Sequence, residues 1–248
     1  MTIIQPRKRL SSGESTLDKM MGGGFIEGSA TLISGAPGVG KTTLGIQFLV
    51  DGAANGEAGI LVTFEEFPAS LLRDAKNLGW DLQKLQEEGL LKIIFTSPQV
   101  FLSSLQAPDS PLADAIRLMA PTRVVIDSAT HFKRMNPDPV KLRDIYNTVV
   151  NALKRENITT LILDEDANIA KPGDGRMPPL PFVVDSVFLM RYVELDSEMR
   201  RALTILKMRG SRHNKDIRAY SIGQGGLKLG EPFEDIQGIL SGFTHRVR

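Results

Sequence analysis

The chain has 248 residues, 42% of them hydrophobic, and 30 basic against 29 acidic side chains leave a net charge of +1. That size and apolar share suit one large α/β domain over residues 1–248, and the near-zero charge argues against a surface that coats nucleic acid. With no cysteine there is no disulfide framework or thiolate metal site; no apolar run is long enough to span a membrane and the basic N-terminus has no leader-like apolar stretch, so a cytoplasmic protein is expected.

Arg9–Gly13 enters as an extended segment. Ser15–Met21 predicts a short helix capped by Ser15 and stopped by Gly22-Gly23-Gly24. Ala30–Ser34 reads as a short buried strand. It leads into Gly35-Ala36-Pro37-Gly38-Val39-Gly40-Lys41-Thr42, which fits the phosphate-loop pattern G-x-x-x-x-G-K-[ST] at every fixed position. A helix is expected from Thr43 to Ala54. Such a loop lets backbone N–H groups approach a triphosphate closely, and the positive end of the next helix faces it. Lys41 then supplies charge to the β- and γ-phosphates, and the Thr42 hydroxyl is a magnesium ligand. The ligand class is a nucleoside triphosphate with Mg2+.

Gly59–Phe64 predicts a second buried strand, followed by Glu65-Glu66. In parallel sheets ligands gather at the carboxyl ends of strands, so this acidic pair points to the nucleotide crevice. A carboxylate there can polarise water or approach the metal, although a solvated acidic strand end fits the residue types as well. Helices are expected over 71–78 and 82–88, a strand over 90–95, an irregular loop over 96–110 and a helix over 112–119. The strand Arg123–Asp127 ends on an aspartate suited to holding the metal through water or Thr42. Val140–Arg155 is an amphipathic helix and Thr159–Leu163 a fifth strand. Asn168–Pro181, with four prolines, predicts a mobile loop. Ser186–Val193, Ala202–Met208 and Ile217–Ile222 read as closely spaced strands of an antiparallel extension. Lys207 and Arg209, two apart, share a strand face and open a donor-rich run that includes Ser211, His213 and Lys215. His213 has no partner at metal-ligand spacing.

Several of these segments together resemble the KaiC-like branch of the RecA-type ATPases. They are the phosphate loop, Thr63-Phe64-Glu65-Glu66, Asn77-Leu78-Gly79-Trp80-Asp81, Ile126-Asp127-Ser128 and Lys207-Met208-Arg209-Gly210. Within that branch the chain is most similar to the C-terminal half of cyanobacterial KaiC. The resemblance implies a RecA-like core, a mostly parallel twisted sheet flanked by helices with a C-terminal antiparallel extension. It also implies a homo-oligomeric ring, usually a hexamer, with ATP between subunits. Gly35 to Thr43 would hold phosphates in cis, with Lys41 and Thr42 foremost. Glu65 and Asp127 would lie near the metal, Glu66 would activate water, and Asn77 and Leu78 would contact the base. Lys207, Met208, Arg209 and His213, together with Arg201, Ser211 and Lys215, would serve the ATP of an adjacent copy.

Three departures qualify this expectation. The family's clock members have two tandem domains, against one here. Pro181 and Phe182 stand where the phosphorylated hydroxyl residues are expected, which argues against autokinase activity. Asp164-Glu165-Asp166 replaces neutral polar residues; facing a γ-phosphate, these carboxylates would repel it and slow hydrolysis. The expected function is therefore a slow, magnesium-dependent ATPase in signalling or regulation. A nucleotide-dependent scaffold that recruits a protein partner with little turnover is the first alternative. A RecA-type DNA-repair ATPase is the second, and the composition of residues 168–181 argues against it.

Overall fold

The computed structural model describes residues 7–165, 179–234, 236–239 and 245–246. Strand β1 (Arg9–Leu10) pairs antiparallel with β2 (Phe25–Ile26), and helix α1 (Ser15–Met21) lies between them. The cap of α1 is Glu14 rather than Ser15: its carboxylate accepts from the Leu17 N–H. Gly22 ends the helix in the left-handed conformation, as its place after the last apolar residue foretold.

The chain continues as β3 (Ala30–Gly35), α2 (Lys41–Ala54), β4 (Gly59–Thr63), α3 (Pro68–Asn77), α4 (Leu82–Glu87), β5 (Leu91–Phe95), α5 (Pro98–Ser104), α6 (Pro111–Met119) and β6 (Arg123–Asp127). Then come α7 (Thr130–Met135), α8 (Pro139–Arg155), β7 (Thr159–Asp164), α9 (Leu180–Val183), β8 (Ser186–Leu195), β9 (Glu198–Met208), β10 (Arg218–Gly223), β11 (Gly226–Pro232), β12 (Ile236–Gln237) and β13 (His245–Arg246). The sequence reading missed β2, α9 and β11, and two helices correct it further. The loop expected over 96–110 contains α5, because Ser97 caps the Val100 N–H and Pro98 takes the first helical position, where its missing N–H costs nothing. Helix α7 fills a stretch too short to show periodicity. Most of the loop expected over Asn168–Pro181 lies outside the described residues; Leu180 and Pro181 belong to α9.

Nine strands form one sheet in the order β11-β10-β9-β8-β3-β7-β6-β4-β5. From β8 to β5 neighbouring strands are parallel, and β9, β10 and β11 extend the β8 side antiparallel. The parallel strands read as unbroken apolar runs because both faces are covered. Ile33, Leu61, Val125 and Leu163 pack with residues of α1–α4 on one face. Leu32, Val62, Ile126 and Ile162 pack with α5–α9 on the other. Burying one Leu, Ile or Val side chain contributes on the order of 2 kcal/mol, so this double core holds the central strands and fixes the height of their carboxyl ends.

Candidate functional site

Four strand ends meet at one edge of the core: Gly35 of β3, Thr63 of β4, Asp127 of β6 and Asp164 of β7. Their registers align them, with Ser34 opposite Asp164, Thr63 opposite Asp127, and Asp127 opposite Leu163. The phosphate-loop residues join β3 to α2 here. Gly40 caps α2 at φ 102°, a backbone angle open to glycine, and a side chain at this position would strike Ile222 of β10. Helix α2 starts at Lys41 rather than Thr43, so Lys41, Thr42 and Thr43 form its first turn.

Lys41 is 7% exposed, and its ammonium donates to the Gly35 and Ala36 carbonyls at 2.9 and 3.0 Å. Burial lowers its pKa; Asp127, Glu165 and Asp164 pull the other way. The Thr42 hydroxyl donates to Asp127 Oδ2 at 2.7 Å. Burial raises the Asp127 pKa, against the Thr42 bond and the Lys41 charge. Glu66 is raised as well, first by burial and then by Asp127, Asp74 and Glu65. Its backbone turns back on Thr63, whose hydroxyl accepts from the Glu66 N–H and donates to the Glu66 carbonyl. Glu65 is different: its side chain is 63% exposed and pairs with His131 at 3.1 Å. Of the two glutamates, Glu66 feels the Asp127 charge and Glu65 faces α7.

These donors fit magnesium. Thr42, Asp127 and Glu66 offer oxygen alone, and the crowded carboxylates would be relieved by a hard cation. Among the described residues no three His, Cys, Asp or Glu converge as a metal cage.

The acidic run begins at the end of β7, with Asp164 and Glu165 among the described residues. Asp164, 1% exposed, accepts from the Thr130 hydroxyl at 3.0 Å and pairs with Lys133 at 2.7 Å. It follows Leu163 on the strand and therefore turns toward α7, although its charge still reaches Lys41. Glu165 lies 3.8 Å from Arg134. Asp166 lies outside the described residues. Helix α7, which the sequence reading missed, thus supplies the cations that answer these carboxylates.

Two tyrosines from the antiparallel side also escaped the sequence reading. The Tyr192 hydroxyl donates to the Gly38 carbonyl and the Tyr220 hydroxyl to that of Val39, each at 2.6 Å. Burial raises the Tyr220 pKa well above the usual phenol value. Pro37 completes the loop these bonds brace. Arg201 lies over the Tyr192 ring, 5.6 Å from its centre.

The remaining candidates separate into two places. Asn77 and Leu78 end α3, where the Leu78 carbonyl accepts from Gly225 in the β10–β11 turn. Arg201 pairs with Tyr192, two residues beyond the Met190–Gly35 level, and so lies at the phosphate-loop end of β9. Lys207 pairs with Val187, which is opposite Leu32. It therefore sits three residues below Gly35, or roughly 10 Å, on the face that carries α8 and α9. There Lys207 donates to the Pro181 and Val184 carbonyls at 2.8 and 2.7 Å, and Arg209 donates to that of Phe182 at 3.2 Å. Burial, then Arg209, lowers the Lys207 pKa. Met208 is buried, and Ser211 accepts from Arg9 and donates to the Met21 carbonyl. His213 is half-buried and Lys215 exposed. Arg201 is thus detached from the group with which it was placed.

Comparison with known proteins follows this geometry. Residues 10–234 match the family model described as "ATPase: KaiC". The chain is 36% identical over 234 residues to the circadian clock protein KaiC3 of Synechocystis sp., covering 94% of this chain and 46% of that protein. It is 36% identical over 239 residues to the circadian clock oscillator protein KaiC of Acaryochloris marina, covering 96% and 45%. The chain thus spans just under half the length of these relatives. A KaiC-like protein from the hyperthermophilic archaeon Pyrococcus horikoshii OT3 superimposes with a TM-score of 0.78 at 29% identity, covering 91% of this chain and all of that one.

Proposed function

The chain belongs to the KaiC ATPase family, and from that premise we propose that it is a magnesium-dependent ATPase whose site is completed by a second copy of itself in a ring, most simply a hexamer. Residues 1–248 act as one ATPase domain in this reading, in the cytoplasm and in a signalling or regulatory role. The observation that carries it is the register of β9. Lys207 stands roughly 10 Å below the level of Gly35 of its own chain, and both it and Arg209 bond toward α9, which supports their charge serving a phosphate of another copy.

In this reading Lys41, the loop amides and the first turn of α2 hold the triphosphate. Mg2+, when bound, supplies positive charge to the β- and γ-phosphate oxygens. Thr42 and Asp127 would hold it, with Glu65 at the margin. Glu66 takes a proton from water as the water oxygen bonds to the γ-phosphorus and the β–γ bridging bond breaks. Its raised pKa makes it a better base than an ordinary carboxylate. Asn77 and Leu78 are the candidates for the base, Arg201 for the cis side of the loop, and Met208, Ser211, His213 and Lys215 for the rim of the trans side.

Steady-state phosphate release tests the chemistry: Glu66→Gln should lower it at least 100-fold, within the usual range for a lost general base. A variant as fast as the parent removes Glu66 from the mechanism. The low-turnover scaffold rested on repulsion by Asp164 to Asp166 and on Pro181 and Phe182 standing where phospho-acceptors are expected. The Lys133 pair and the turn of Asp164 toward α7 weaken the first of these arguments. Most of the segment on which DNA contact rested lies outside the described residues.

A further inference from the structure

Three exposed phenylalanines border the two halves of the composite site. Phe67 follows Glu66 and is 65% exposed; Phe95, at the end of the edge strand β5, is 44% exposed. Their rings lie 4.8 Å apart and tilted by 35°, forming a small apolar platform beside the acidic strand end. Phe182, 51% exposed, projects from α9. The carbonyl of that same residue accepts from Arg209, and the neighbouring carbonyls of Pro181 and Val184 accept from Lys207.

One surface of the chain therefore sets aromatic rings next to carboxylates, and another sets an aromatic ring next to cations. The two lie on different parts of the fold: the first at the carboxyl end of β4 and β5, the second at the amino end of β8, where α9 enters. Within one copy they do not meet, since β4 and β5 occupy one edge of the sheet and β9 lies toward the other. Between copies they are complementary in charge and in apolar character. A head-to-tail contact that brings Lys207 and Arg209 to a neighbour's phosphates carries Phe182 with them, because the Arg209 guanidinium donates to the Phe182 carbonyl at 3.2 Å. It arrives at the strand end that bears Glu66, one residue from Phe67. Such a contact is heterologous, the kind that closes rings.

We propose that Phe182 of one copy docks on the Phe67–Phe95 platform of the next, as an apolar latch that seats Lys207 and Arg209 on the neighbour's nucleotide site. The occupant is a second copy of this chain. The latch rests on the ring reading above, and the test separates the two. It gives the α9 segment a packing role in assembly, with no covalent modification needed.

The chain has no cysteine, so Phe67→Cys and Phe182→Cys each carry a single thiol. The two variants are purified separately, mixed with ATP and Mg2+, and treated with a short bis-maleimide. A cross-linked pair containing one of each is expected, identified by peptide mass spectrometry, at a yield at least ten-fold above either variant alone. Native mass spectrometry of the unmodified chain and of Phe182→Asp runs alongside. The exposed Phe182 side chain should tolerate this change in the folded monomer, and assembly should weaken at least ten-fold. Cysteine variants that assemble without giving the mixed cross-link, or Phe182→Asp assembling as well as the unmodified chain, overturn the latch and leave the ring standing. An unmodified chain that stays monomeric with ATP and Mg2+ overturns both. Loss of assembly in the cysteine variants alone supports the latch.

Discussion

Asp164 holds its carboxylate out of water at the tip of β7, where an ion is stable only while its partners remain. Lys133→Ala should lower stability by about 3 kcal/mol, the lower end for a broken buried pair because Lys133 is partly exposed. Adding Asp164→Asn should recover most of that loss; denaturant unfolding of the two single variants and the double variant measures it. Asp127 gives a pH dependence. Burial raises its pKa in the folded protein, so the folded state binds this proton more tightly than the unfolded chain does. The stability this lends is complete below the ordinary carboxylate pKa and is lost as pH rises through the raised value. Asp127→Asn should flatten that fall in nucleotide-free protein, and thermal melts from about pH 4 to pH 8 would display it. Glu66 shifts in the same direction, so the acid limb of the pH–rate profile should lie above the ordinary carboxylate range. Lys41, Thr42 and Asp127 could be singled out from the sequence because they stand in a contiguous loop and at a strand end, and the fold brings them together. Lys133 could not, since its partner lies 31 residues away.

At the scale of elements, the phosphate loop is held from outside as well as from its own strand and helix. Tyr192 and Tyr220 grip successive loop carbonyls from β8 and β10. Tyr220→Phe should leave the Val39 carbonyl without that donor and cost about 1 kcal/mol of stability. Weaker ATP binding by the folded variant, measured calorimetrically, should accompany it; unchanged affinity would mean that the loop keeps its shape unaided. The buried strands were readable because parallel strands covered on both faces are continuous apolar runs. Helix starts were read less well. Ser-Pro at 97–98 was taken as loop although it opens α5, and the cap of α1 fell one residue early, on Glu14. A Pro or Ser signals a boundary, and its neighbours decide which kind.

For the whole molecule, the register of the sheet holds Lys207 and Arg209 apart from the phosphate loop of their own chain. If assembly reunites them, mixing Arg209→Ala subunits with Lys41→Ala subunits should restore phosphate release that neither shows alone, because a mixed interface carries one intact half from each. A mixture as inactive as its components would remove the trans role of Arg209. The sequence by itself determined the α/β class, the phosphate loop and its ligand chemistry, since these depend on residues adjacent in the chain or repeated at strand and helix periods. Only the tertiary structure decided that Asp164 faces α7, that two tyrosines brace the loop, and that Lys207 lies below the level of Gly35 on the face that carries α8 and α9. Those facts follow from strand order and register, which bring together residues far apart in the chain and keep apart residues that look alike in charge.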